Sequence, residues 1–214
     1  LSPKIDRRIE ADINVGENMI EEARELVMMP NFDSDLAANM VNSELVVLPE
    51  KVEKELRLYV WSIASSYHEN EFHNFEHATH VAVSMNKMLQ KISTTSTADK
   101  TYLGFGGKHS TSAELAAELD NRTFGIATDP LTEFSLMFSA LVHDVDHFGI
   151  SNYQLIKEGS PLASLYKSKS VAEQNSIDIA WWLLMTPSFS SLREAIYDDA
   201  IEKRRFRQLL VNCV

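Results

Sequence analysis

The stretch TDPLTEFSLMFSALVHDVDHFG, residues 128–149, opens with helix-starting residues, continues as a nearly unbroken apolar run and ends in two histidines and two aspartates. Asp129 can cap a helix and Pro130 can fill its first position, where a missing N–H costs nothing. Phe134, Met137, Phe138, Leu141 and Val142 then supply a thick apolar face, so a buried helix is expected, stopped by Gly149. Charge at the end of such a helix is the anomaly. Buried imidazoles and carboxylates need partners, and a metal ion is one.

Outward from this run the chain reads as helical. Seven glycines and six prolines are few for 214 residues, and the apolar residues recur at spacings of three and four. PEKVEKELRLYVWSIASSY, from Pro49, places Val52, Leu56, Tyr59 and Ile63 on one stripe. A second helix is expected from about Asn74, with Val81, Met85, Met88 and Ile92 inward. SNYQLIKEGSPLASLY, after Gly149, reads as a connection with a short helix. Further helices are expected from about Ser170 to Met185 and from about Leu192 to the end of the chain. The fold class is all-α, a compact multi-helix bundle. Residues 1–48 form a helical segment packing on or leading into a domain at 49–214, and Ile20, Leu26, Val27, Met28 and Met29 suit the core or a partner equally. The exception is 93–128, polar and small, where STTSTADKTYLGFGGKHSTS, residues 93–112, holds three of the seven glycines; it reads as a flexible loop in which AELAAEL, residues 113–119, could form a short helix. It is not a phosphate loop, because Lys108 is followed by His109 and position 102 is not glycine.

A formal net charge of -11 disfavours contact with nucleic-acid backbone or anionic membrane, so no nucleic-acid partner is expected. No apolar run approaches 18 residues, which excludes direct membrane insertion by this segment as a helix. The single cysteine, Cys213, cannot form an internal disulfide and fits an intracellular, cytoplasmic setting, including the cytosolic part of a larger or membrane-tethered protein.

FHNFEHATHV, residues 72–81, holds the other histidine pair. Residues four apart share a helix face, so His73 and His77 can aim at one point, and His143 and His147 repeat the spacing. One such pair is weak evidence; two pairs in one core, with Asp144 and Asp146 interleaved in the second, are much stronger. Imidazole nitrogen and carboxylate oxygen suit zinc or iron, while carboxylate plus water suits magnesium or manganese. His80, His68 and His109 read as an outer helix face, a polar turn and the loop. Trp181 and Trp182 are adjacent, so only one can face a core.

HNFEHATHV resembles the H-N-x-x-H-A-x-x-V signature, and HDVDHFGISN the H-D-x-D-H-x-G-x-x-N signature, of class I 3',5'-cyclic nucleotide phosphodiesterases, within the HD-domain metallophosphohydrolase superfamily. The resemblance covers roughly Pro49 to Val214. It implies hydrolysis of cAMP, cGMP or both to nucleoside 5'-monophosphates, with His73 as general acid and two divalent metal ions. His77, His143 and Asp144 would ligate the tighter ion, expected to be zinc, and Asp144 would bridge to a second, magnesium or manganese. His147, Asn152 and Glu173 would hold metal-bound water or substrate phosphate, and Asp146 would orient a neighbour. Phe72 and Phe148 stand where tyrosine and proline are common in the family. Gln174, Asn175 and Ser176 follow Glu173 where the family has an asparagine and two histidines. A further metal-binding aspartate and a purine-clamping glutamine are expected beyond Val214, so the 214-residue piece alone is expected to be weak or inactive. Another HD-domain phosphohydrolase, or a degenerate module that binds without turnover, are the alternatives.

Overall fold

The computed structural model describes residues 15–27, 29–33, 35, 47–98 and 112–214. Among the described residues, ten α-helices can be bounded: α1 (Val15–Glu22), α2 (Glu50–Ala64), α3 (Phe75–Ala98), α4 (Ser112–Thr123), α5 (Pro130–Val142), α6 (Asn152–Lys157), α7 (Pro161–Leu165), α8 (Val171–Met185), α9 (Ser190–Ile196) and α10 (Ala200–Cys213). Short 3-10 turns occupy Ile126–Thr128 and Pro187–Phe189. No strand occurs among the described residues, in agreement with the all-α expectation.

α5 packs between α3 and α10 and buries residues on most of its circumference, as its composition requires. α2 lies over α8 and α9, with Val52, Tyr59 and Ile63 buried. Tyr59 stacks on Phe138 with ring centroids 5.5 Å apart and meets the edge of Phe189 at 5.4 Å. Phe206 of α10 closes the cluster against Phe138 at 5.3 Å. The fully buried Tyr59 hydroxyl donates to the Ala180 carbonyl at 2.9 Å, so no polar atom is stranded there. Trp181 turns toward Phe206 and carries the Arg207 guanidinium over its ring at 5.0 Å, while Trp182 faces outward.

Several elements depart from the periodicity. α5 ends at Val142, well before Gly149, because Asp146 takes a left-handed conformation (φ 62°) and its N–H bonds to Ser66 of the preceding loop. Aspartate tolerates that region better than most residues. Asp129 occupies the position before α5, yet its carboxylate accepts from Thr132 and Arg205 instead of capping the backbone. The final helix is broken in two: Asp199 caps α10 by accepting from the N–H groups of Ile201 and Glu202, both at 2.8 Å. On α3, Leu89 is buried and Met88 faces solvent, a one-residue shift from the expected stripe. α3 continues to Ala98 and α4 begins at Ser112, so helix replaces much of the expected loop; residues 99–111, including His109, lie outside the described residues.

Of the N-terminal segment, α1 touches α8 and α10. Met19 is buried in the main core, Glu22 pairs with Arg207 at 3.0 Å, and Glu25 pairs with Arg204 at 3.1 Å. Leu26 is exposed, and Met28 lies outside the described residues.

Candidate metal centre

The centre forms where the loop between α2 and α3 meets the segment after α5. Asn74 starts α3 by accepting the His77 N–H on its side-chain oxygen at 2.9 Å, which leaves His73 just before the helix and His77 in its first turn. His143 follows α5 directly, and His143 to Asp146 run on as turns that lead into His147. Neither histidine pair therefore shares a helix face.

The pairs cross instead. His73 stacks on His147 with centroids 3.8 Å apart, and His77 approaches His143 at 5.4 Å. Asp144, 8 % exposed, lies at the junction. Its Oδ2 is 2.9 Å from His73 Nδ1, 3.1 Å from His143 Nε2 and 3.8 Å from His77 Nε2. Two trios result, His77–His143–Asp144 and His73–Asp144–His147, each with potential ligand atoms within 4.8 Å of one another.

Electrostatics follow from this crowding. Burial raises the Asp144 pKa, but hydrogen bonds from His143 and His73 outweigh it and bring the carboxyl down to about 2. The same contact with Asp144 raises His143 against the opposing effect of burial. His147 is lowered by burial and by the neighbouring His73, and its Nδ1 accepts the Gly149 N–H at 3.0 Å, which places a neutral ring's proton on Nε2. His143 Nδ1 donates to the Ala140 carbonyl at 3.0 Å, so an ion would take Nε2 in place of the proton that Nε2 shares with Asp144. Two imidazole nitrogens and one ionised carboxylate oxygen, with a second partner orienting a ligand, fit a zinc-type ion.

The remaining expected residues cluster beside the trios. Asn152 donates to Glu173 Oε2 at 2.9 Å and accepts the Ala172 N–H at 2.9 Å, so it holds Glu173 and caps α8 at once. Glu173 is near enough to His147 to raise that ring's affinity for a proton. Asp146 is a hub: one oxygen is 2.8 Å from His68 Nε2 and the other accepts from Asn175 at 3.0 Å. Ser176 donates to the Val145 carbonyl at 2.8 Å. Asn175 and Ser176, where the resemblance implies two histidines, thus bond to the motif segment. His68 and Asn70 are the positions that spacing alone did not reveal. His68, exposed as its polar turn suggests, also stacks on Phe148 at 4.6 Å. A run of polar residues directly before a histidine motif was the available signal. His80 is exposed on α3, as expected.

Comparison with known proteins identifies the family. The family model for 3'5'-cyclic nucleotide phosphodiesterase matches residues 72–214. A probable 3',5'-cyclic-AMP phosphodiesterase of Caenorhabditis elegans is 26 % identical over 159 residues, covering 73 % of this chain and 18 % of that protein. A cGMP-specific 3',5'-cGMP phosphodiesterase of Dictyostelium discoideum is 25 % identical over 176 residues, covering 78 % and 31 %. The chain therefore spans less than a third of either relative. The fold matches the phosphodiesterase domain of the RhoPDE fusion protein from the choanoflagellate Salpingoeca rosetta, with a TM-score of 0.55 at 20 % identity, over 96 % of this chain and 49 % of that one. No described helix is long and apolar enough to cross a membrane. With both histidine motifs, the helical order and the matched span in agreement, the chain belongs to the 3'5'-cyclic nucleotide phosphodiesterase family.

Proposed function

We propose that this protein hydrolyses 3',5'-cyclic nucleotides, cAMP, cGMP or both, to nucleoside 5'-monophosphates, using two divalent ions and His73 as general acid. The observation that carries the reading is the convergence of both motifs on one oxygen, Asp144 Oδ2. His77, His143 and Asp144 would hold zinc, and Asp144 would be shared with magnesium or manganese on the side of His147, Asn152 and Glu173. When bound, the ions acidify water toward neutral pH and neutralise phosphate charge. That offsets the repulsion between an anionic substrate and a chain of net charge -11.

His73 has the second task. Its Nδ1 is engaged by the ionised Asp144, an acceptor only, so Nδ1 carries a proton and Nε2 is the atom from which a proton is delivered. A ribose 3'-alkoxide leaves poorly, and donation by a positioned histidine is worth roughly 100-fold or more. His147, whose proton affinity is lowered by burial and by His73, supplies a flat surface on which the His73 ring stacks. Asn152 keeps Glu173 beside this pair. Asn175 keeps Asp146 bonded, which supports a working centre over a degenerate one.

The relatives' names divide between cAMP and cGMP and support the substrate class without a base preference. The test is hydrolysis of both nucleotides by the full-length protein carrying this chain, with zinc and magnesium, beside His77→Ala. Formation of 5'-monophosphate that disappears in the variant is the expected result. A folded, metal-loaded protein inert to both would return the assignment to another HD-domain phosphohydrolase or to a binding module.

A further inference from the structure

Asn70 occupies a position that neither motif includes. Its side-chain amide has two N–H groups, and both are used: Nδ2 donates to the His73 carbonyl at 3.0 Å and to the His147 carbonyl at 3.1 Å. Its oxygen accepts the Phe72 N–H at 3.2 Å, and its own carbonyl accepts from Asn74, the residue that starts α3. One side chain therefore ties together the backbones of the two histidines whose rings stack at 3.8 Å. Those residues are 74 positions apart in sequence (147 minus 73), and no helix or strand carries them both. Asp144 also meets both residues, the His73 ring on its Oδ2 at 2.9 Å and the His147 N–H on its carbonyl at 3.1 Å, but it holds His73 by the ring, whereas Asn70 holds the backbone of each; elsewhere in this corner Asp146 N–H reaches Ser66, and His68 reaches Asp146. Gly149 sits against the same amide, since a Cβ there would lie 3.4 Å from Asn70 Cβ.

We propose that Asn70 is a positioning residue for the general acid: it fixes the register of His73 over His147 by bonding both backbones, leaving the His77–His143–Asp144 trio to the helices. The proposal rests on the reading of His73 as the acid. It follows that loss of Asn70 should impair proton delivery without dispersing the tighter metal site. Asn70→Asp preserves shape and the bond from Phe72 but turns an acceptor toward two carbonyl oxygens, so it should fail as Asn70→Ala does.

The experiment compares wild type, Asn70→Ala and Asn70→Asp in the full-length protein. With cAMP and cGMP, kcat should fall roughly 10–100-fold while KM stays within about threefold, and zinc content should be unchanged. With a nucleoside 5'-(p-nitrophenyl) phosphate, whose leaving group needs no acid, the deficit should shrink to under about threefold. In a His73→Ala background, Asn70→Ala should cost nothing further, because two residues acting through one proton transfer are not additive. Ring-proton signals of His73 and His147 in the metal-free protein should lose the upfield shift of a stacked pair in both variants. Equal losses on both substrate types, loss of zinc in parallel with activity, additive losses in the double variant, or full activity in Asn70→Asp would each overturn the assignment. If wild type hydrolyses neither cyclic nucleotide, the functional reading falls, and the ring signals alone decide Asn70: unchanged His73 and His147 signals in Asn70→Ala overturn its role.

Discussion

Replacing Asp178 by asparagine should stabilise the protein at neutral pH. Asp178 lies on α8, where Tyr166 donates to its Oδ2 at 2.9 Å and where Arg207 and Glu22 of the α1–α10 contact act on it. Burial raises the carboxyl from 3.8 to about 6, because the Tyr166 bond and Arg207 offset only part of the desolvation. The folded state thus binds this proton more tightly than the unfolded chain, so stability gained at low pH is lost as pH rises through about 6. A shift of about 2 units corresponds to about 3 kcal/mol in full, of which about 1.5 kcal/mol develops between pH 5 and pH 7.5. Asparagine cannot ionise, and its carbonyl oxygen can still accept from Tyr166. Urea unfolding of wild type and Asp178→Asn, followed by helical ellipticity at pH 5, 6 and 7.5, measures the gap directly. The variant should lead by about 2–3 kcal/mol at pH 7.5, with a gap that narrows toward pH 5. A gap that is constant, or that closes as pH rises, refutes the reasoning, because it would place the ionised carboxylate in a site that favours it.

Three further outcomes are expected. Arg205→Met leaves Asp129, 5 % exposed, with Thr132 alone, and should lower stability by about 3–5 kcal/mol in the same assay; a loss below about 1 kcal/mol would mean that water reaches the carboxylate. Tyr59→Phe removes one buried hydrogen bond to Ala180 and should cost about 0.5–1.5 kcal/mol with the aromatic packing retained, read from thermal melts and aromatic ring signals. Gly149→Ala places a side chain at φ 74° and against Asn70; it should destabilise by about 1–2 kcal/mol and reduce turnover more than zinc content, checked by parallel melts, rates and metal analysis.

Helix class and most inward faces were legible because apolar spacing is local: Val52, Tyr59 and Ile63 on α2 lie where the stripe puts them. The candidate centre was legible through residue types, since His73, His77, His143 and Asp144 do converge. Its geometry was not. Spacing of four suggests that each pair acts together on one face, whereas the helix boundaries at Phe75 and Val142 separate the members and exchange their partners. Those boundaries depend on Asn74 as a cap and on Asp146 held left-handed by Ser66, a contact between residues 80 apart (146 minus 66) that no periodicity reports. The break before α10 was available in principle, because Asp199 precedes the helix as a cap, yet Asp198-Asp199 also reads as a solvated face. The roles of Asn70 and His68 depend on which backbone groups come to face them, and therefore on the finished fold.

The crossed pairing has a kinetic corollary. Each trio combines a residue from the start of α3 with residues after α5, so neither exists until about 70 residues of intervening chain have been closed into a loop. Individual helices form within about a microsecond, whereas such closure belongs to the slower, tertiary phase. During refolding, uptake of a spectroscopically visible ion such as cobalt should therefore lag helix formation and coincide with burial of Tyr59 and Phe138, making the metal centre a clock for the docking of α3 on α5.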